Sequence, residues 1–241
     1  MKNDLHIFKT PEDLADQFAG ELMNQIENFS GKAFHLAISG GKTPDLLFSV
    51  LAKKYSDSAL WQKVHFWWVD ERMVSPDNPE SNFGNAQKLL FSQICIPEEN
   101  IHRIKGENNS EIEEIEYSEE IQQSLSQQDN WPVFNLILLG MGDDGHTASI
   151  FPNHMELLNS ERICELTFHP LSEQKRITLT GKVINHANKV CFLVTGANKA
   201  NRISEIWVHQ EKANLLPASH IHPVSDDLSW FLDESAAQFI R

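Results

Sequence analysis

The sequence predicts an α/β fold: a Rossmann-like, open, mostly parallel sheet with helices on both faces. Two observations carry this. Short apolar runs alternate along the chain with segments of helical length, the order that builds βαβ units and therefore parallel strands. Glycine-rich or charged loops follow several of these runs, as expected where the strands of such a sheet deliver their carboxyl ends to one edge.

Taken in order, residues 4–9 read as a short strand. Thr10-Pro11-Glu12-Asp13 is a helix start, with a capping hydroxyl, proline at the first helical position and acids in the first turn. That helix should run to about Phe29 and stop at Ser30-Gly31. Residues 33–39 form a buried type of strand, and Thr43-Pro44-Asp45 starts a second helix. Residues 64–69, Val-His-Phe-Trp-Trp-Val, are strand-like, and 81–94 are helical. The acidic segment 110–126 places Ile112, Ile115, Tyr117 and Ile121 among glutamates and glutamines, which predicts a solvated helix with one apolar side. Residues 133–139 read as a central strand, 176–180 and 190–195 as further strands, and 198–209 as a helix. A last strand and helix are expected at 228–232 and 234–240. No repeat, low-complexity tract or Gly/Ser linker divides the chain, so residues 1–241 are expected to form one domain.

With 241 residues, 41% of them hydrophobic, the chain can bury a sizeable core. No stretch approaches the length of a membrane span, and the N-terminus lacks the apolar core of a leader. Cys95, Cys164 and Cys191 show no metal-type spacing, so reduced thiols and a cytoplasmic location are expected. The net charge of −14 argues against nucleic acid or an anionic membrane as partner. It also means that any anionic ligand must be held by a local site.

Four strand-end segments could make such a site. Ser39-Gly40-Gly41-Lys42-Thr43-Pro44 combines a tight turn, a helix start, a lysine and a hydroxyl. A phosphate cradle and a plain capped turn both fit it. It is not a nucleotide P-loop, because the required upstream glycine is Leu36. Asp70-Glu71-Arg72 ends the Trp-rich strand, where charges are costly to desolvate unless paired or functional. Gly140, Gly142 and Gly145 match a dinucleotide fingerprint, with Glu165 downstream. Asp143 and Asp144 would set two carboxylates beside a pyrophosphate, however, and Pro152 would cut a following helix short. The better reading is a glycine turn that holds His146 at the sheet edge for proton chemistry. Arg176 and Lys199 each flank an apolar strand; alone, either reads as a solvated cation.

Together these segments, with Ser81-Asn82, Arg176-Ile177-Thr178-Leu179-Thr180 and the tail from Leu216 to Asp233, resemble the 6-phosphogluconolactonase family over nearly the whole chain. The resemblance implies hydrolysis of 6-phospho-D-glucono-1,5-lactone in the oxidative pentose phosphate pathway, with no metal and no organic cofactor. It implies a fold shared with the glucosamine-6-phosphate deaminases. It places the substrate phosphate on the loop Gly40, Gly41, Lys42 and Thr43 with Arg176 and Lys199, Ser39 being a further substrate-binding residue, makes His146 the general base, and sets Asp70 and Arg72 along the site. Asp144 would orient the imidazole. A monomer acting on a phosphorylated sugar lactone is expected.

The deaminase relatives are the rival reading. Their motif continues with a glutamate five residues after the histidine, where this chain has Phe151, and their Asp-Glu pair is followed by tyrosine, where it has Arg72. Lys42 departs mildly from the small residue expected there. A non-catalytic sugar-phosphate-binding module is the second alternative. The 11 histidines do not read as a metal site, since His220-x-His222 and His146…His154 lack carboxylate or cysteine company.

Overall fold

A computed structural model describes residues 4–208 and 210–240. Strand β1 (Asp4–Phe8) leads into helix α1 (Pro11–Asn28). The helix starts as its sequence predicts: the Thr10 hydroxyl accepts from Asp13 N–H at 3.1 Å, and Glu12 and Asp13 face the positive end of the helix dipole. Strand β2 (Phe34–Ile38), helix α2 (Lys42–Tyr55) and strand β3 (Val64–Trp68) follow. After them come β4 (Asp70–Arg72), α3 (Asn82–Leu89), β5 (Ile101–His102) and α4 (Ser110–Ser124). A small ribbon of β6 (Gln127–Gln128) and β7 (Trp131–Pro132) precedes β8 (Leu136–Leu139). The remaining elements are β9 (Cys164–Phe168), β10 (Lys175–Leu179), α5 (Gly181–Asn185), β11 (Val190–Val194), α6 (Ala200–Trp207), α7 (Gln210–Ala213) and β12 (Leu228–Asp233).

Seven strands form one sheet in the order β1-β12-β11-β8-β2-β3-β5, and every pairing is parallel. All residues of β8, β11 and β12 are buried, as in strands covered on both faces. The chain enters the middle of the sheet at β2, moves outward through β3 and β5, then returns to the other side of β2 with β8. This reversal opens a crevice at the carboxyl ends of β2 and β8, the place where such sheets bind ligands. The Ser39 hydroxyl donates to the Leu138 carbonyl at 2.9 Å and ties the two strand ends together.

Several expectations are corrected. The strand around Arg176 exists but lies outside the parallel sheet. It is antiparallel to β9 and to β4 in a separate three-stranded sheet. The helix expected at 81–94 ends at Leu89 and gives way to a 3₁₀ turn at Phe91–Gln93. The helix expected at 198–209 opens as a 3₁₀ turn and becomes α-helical only at Ala200; His209 lies outside the described residues. Residues 234–239 form turns, and no helix forms over 234–240.

Helix α4 also turns differently from the expected apolar stripe. Ile112 and Ile115 are 56% and 52% exposed, while Glu113 and Glu114 are buried. The reason is that these acids have partners. Glu113 accepts from Lys105 N–H at 2.7 Å and from Asn108 Nδ2 at 2.8 Å, and Glu114 pairs with Arg162 at 2.6 Å. From the same helix, the Tyr117 hydroxyl accepts from Trp68 N–H at 2.8 Å and donates to Trp68 O at 3.0 Å. The acidic segment therefore secures the end of β3, two residues before Asp70.

Candidate active site

A cleft of about 530 Å³ lies over the carboxyl ends of β2, β8 and β11. Its first wall is the turn from β2 into α2. Gly41 has φ +111°, a conformation that a side chain would strain although nothing crowds it. Gly40 is constrained by space instead, since a Cβ there would sit 1.9 Å from Asn82 Oδ1. No side chain caps α2, so the first N–H groups of this helix and the positive end of its dipole are open to an anion. The Thr43 hydroxyl bonds the Thr195 hydroxyl at 2.7 Å and joins this turn to the loop after β11. Lys42 is exposed at the rim.

The second wall is β4 with β10. Asp70 is buried; its Oδ2 accepts from the Ser149 hydroxyl at 2.6 Å and lies 3.9 Å from Arg176 Nη1. Arg72 and Arg176 are directly paired across the antiparallel strands. Like charges at paired positions repel. Burial lowers the pKa of Arg176, Asp70 opposes that shift, and Arg72 adds to it. The Nε–H groups of both arginines are buried without a hydrogen-bond partner. Both arginines line the cleft, although Arg72 Nη1 also donates to Glu80 O at 2.7 Å and Arg176 Nη2 to Gln174 Oε1 at 3.3 Å, and two such cations side by side suit an anion.

The third wall is the loop after β8. Gly145 N–H donates to Gly142 O at 3.1 Å, and Gly142 N–H to His146 O at 2.8 Å. This turn brings Asp144 onto His146: its Oδ1 accepts from the backbone N–H at 3.0 Å and from Nδ1 at 2.6 Å. Burial pushes the Asp144 carboxyl up, but the His146 hydrogen bond, the imidazole charge and backbone amides outweigh it and hold the pKa at about 2. Asp144 is thus ionised at neutral pH and can only accept from Nδ1–H, which assigns Nε2 as the basic nitrogen. His146 packs against Phe151 with ring centroids 4.7 Å apart, and the Arg176 guanidinium lies 5.7 Å from the same ring. Ala148, also at the cleft, has φ +49°.

All eleven residues singled out from the sequence converge here. Asp144 stands behind His146, and the other ten line the cleft. Two of them also have partners within the protein. The Ser39 hydroxyl proton is committed to Leu138 O. Lys199 is ion-paired to Asp143, which Asn198 Nδ2 also meets at 2.8 Å. Of the two carboxylates in this loop, Asp143 is paired with Lys199 and Asp144 is turned to His146. Arg176 reaches the cleft from the start of its strand rather than from beyond a carboxyl end.

Asn82, Thr195, Asn198 and Ser149 join the site without having been assigned a role there from the sequence. Asn82 donates Nδ2 to Asp70 O at 2.9 Å. Its signal in the sequence is its place at the polar entry to a helix beside the Asp-Glu-Arg strand end. Thr195 and Asn198 carry the same kind of signal after the strand at 190–194.

A family model for glucosamine-6-phosphate isomerases/6-phosphogluconolactonase matches residues 9–230. A 6-phosphogluconolactonase of Haemophilus influenzae is 41% identical over 234 residues, covering 97% of this chain and 98% of the relative. Among solved structures, devB protein superposes with a TM-score of 0.92 at 38% identity, covering 99% of both chains. A 6-phosphogluconolactonase from Thermotoga maritima gives a TM-score of 0.83 at 29% identity, over 96% of this chain and 100% of that one.

Proposed function

The chain belongs to the glucosamine-6-phosphate isomerase/6-phosphogluconolactonase family, and within it we propose that this protein hydrolyses 6-phospho-D-glucono-1,5-lactone to 6-phospho-D-gluconate. The observation that carries the reading is the Asp144–His146 pair, which presents a basic Nε2 in a cleft that Arg72 and Arg176 also line.

In this reading His146 Nε2 takes a proton from a water that attacks the lactone C1. Asp144 holds the ring and stabilises the imidazolium that forms. The C1–ring oxygen bond then breaks, and the imidazolium returns its proton to the departing ring oxygen, leaving a free hydroxyl and a carboxylic acid that ionises. The open α2 N-terminus at Gly40, Gly41, Lys42 and Thr43, with Arg176 and Lys199, grips the phosphate, while Asp70 and Arg72 flank the sugar. A lactone lacking phosphate should therefore lose rate as well as affinity. The residues support a lactonase over a deaminase. Five positions after His146 stands Phe151, a fully buried ring between His146 and Arg176, where a deaminase would carry a carboxylate. We read the chain as one catalytic unit acting as a cytoplasmic monomer. Among the described residues no helix is long and apolar enough to cross a membrane.

The test is acid release from freshly made 6-phosphogluconolactone, with enzyme-free and His146→Ala controls because the lactone opens slowly unaided. A rate well above both controls is expected. No excess over the enzyme-free control, together with ammonia release from glucosamine 6-phosphate, would establish the deaminase instead. Saturable phosphosugar binding without turnover would establish a binding module.

A further inference from the structure

Strand β4 contributes three consecutive charged residues, and only two of them reach the cleft. Side chains alternate along a strand, so Asp70 and Arg72 line the cavity while Glu71 points away from it, 1% exposed. On that hidden side its carboxylate meets the start of α3. Oε1 accepts from the backbone N–H groups of Arg72 and Asn82, each at 2.8 Å. Oε2 accepts from Phe83 N–H at 2.7 Å and from the Ser81 hydroxyl at 3.3 Å. One side chain thus fixes β4 to the helix that follows it eleven positions on.

What this fixes is Asn82. Its side chain donates to Asp70 O and lies 3.5 Å from Asp70 Oδ1. It also occupies the space that the missing Cβ of Gly40 leaves free. Asn82 is therefore wedged between the acid on one wall of the cleft and the glycine turn on the other. Holding a carboxylate in this position is costly. Burial pushes Glu71 up to about 7, against the pull of its three backbone donors, and Asp70 beside it pushes the same way. A buried carboxyl whose four hydrogen bonds all come from one corner of the cleft fixes the geometry there.

We propose that Glu71 is a positioning residue: by locking β4 to the start of α3, it sets Asn82 between Asp70 and the Gly40 turn and so holds the two cleft walls in register. The inference rests on the lactonase reading above for its substrate, and on geometry alone for its mechanism.

The test is a double-variant cycle on the full-length protein: wild type, Glu71→Gln, Asn82→Ala and both together. It is read as kcat and KM on 6-phosphogluconolactone and as Kd for 6-phosphogluconate by calorimetry. Each single change should lower kcat/KM by about 10- to 100-fold, the scale of a displaced catalytic wall. The double variant should be no worse than the poorer single, because the effect of Glu71 passes through Asn82. Losses that multiply would overturn the proposal, as would an unchanged kcat/KM in Glu71→Gln. If Glu71→Gln does not fold, Glu71→Asp, which keeps the charge and shortens the reach, takes its place in the cycle. A wild type inactive on the lactone contradicts the lactonase reading instead. The cycle is then decided on Kd for 6-phosphogluconate with the same two outcomes, and absence of binding by wild type overturns both.

Discussion

Gly142 and His146 occupy space that only a glycine leaves open: a Cβ on residue 142 would lie 2.1 Å from His146 Nδ1 and 2.7 Å from Asp144 Oδ1. The glycine that resembles part of a dinucleotide fingerprint therefore serves the histidine. Gly142→Ala should push the imidazole off its carboxylate while leaving the sheet beneath intact. A displacement on the order of 1 Å can cost about 100-fold in rate. Lactone turnover should fall on that scale, with a far-ultraviolet circular dichroism spectrum like that of wild type. Near-normal kcat in Gly142→Ala would show that His146 has another route to its position.

Asp144→Asn tests the carboxylate itself. The substitution keeps the shape but removes the charge, and the amide can offer N–H where Nδ1–H needs an acceptor. In a related hydrolase arrangement, replacing the orienting acid costs about 10⁴ in kcat. A lactone is more reactive than an amide, so a loss of roughly 10²- to 10³-fold is expected here. With its pKa held at about 2, Asp144 stays ionised above that value. Loss of wild-type activity between about pH 7 and pH 5 must then come from another group. A kcat for Asp144→Asn within a factor of about three of wild type would remove Asp144 from the mechanism.

The Tyr117 hydroxyl both accepts from and donates to the backbone of Trp68, inside a fully buried setting. Tyr117→Phe leaves an N–H and a C=O without their partner. Each buried unsatisfied group costs about 1–3 kcal/mol. Urea unfolding should show a loss of at least about 1 kcal/mol with an unchanged slope. Because Trp68 precedes Asp70 by two residues, KM should rise as well. A variant as stable as wild type would mean that water replaces the hydroxyl.

The sequence made the central frame and the histidine loop readable for physical reasons. Buried parallel strands are apolar throughout, so β8 and β11 stand out, and the turns after β2 and β8 announce themselves by glycine. What was not readable depends on partners distant in the chain. Lys175–Leu179 has the composition of any strand; its antiparallel place comes from pairing with Asp70–Arg72, a strand too short to show a period. Glu113 and Glu114 look solvated until Lys105, Asn108 and Arg162 are brought to them. Asn82 reads as an ordinary helix entry because its role is defined by Gly40, forty-two positions earlier, and by the hidden side of β4. Lys199 reads as a free cation because Asp143 is assigned to it only by the fold.

Acid sensitivity should come from a histidine row remote from the cleft. His35, His65 and His102 lie on adjacent strands β2, β3 and β5. His65 Nδ1 bonds His102 Nε2 at 2.9 Å, and His102 Nδ1 bonds Glu120 at 2.6 Å. The Trp67 indole N–H donates to His35 Nδ1 at 3.2 Å, so that nitrogen cannot take a proton without losing the bond. Burial, with His65 and His102 adding to it, lowers His35 to about 4. The sign follows from linkage: below its ordinary value of ~6.5 the unfolded chain binds a proton at this position that the native state refuses, so stability falls as pH drops from there toward about 4. By about pH 5 the loss from His35 is on the order of 2 kcal/mol. His65, also lowered by burial, adds in the same direction. His35→Gln keeps an acceptor for Trp67 and removes the titration. Urea midpoints at about pH 7.5 and about pH 5 should therefore differ less in His35→Gln than in wild type. Equal shifts in the two proteins would place the acid sensitivity elsewhere in the fold.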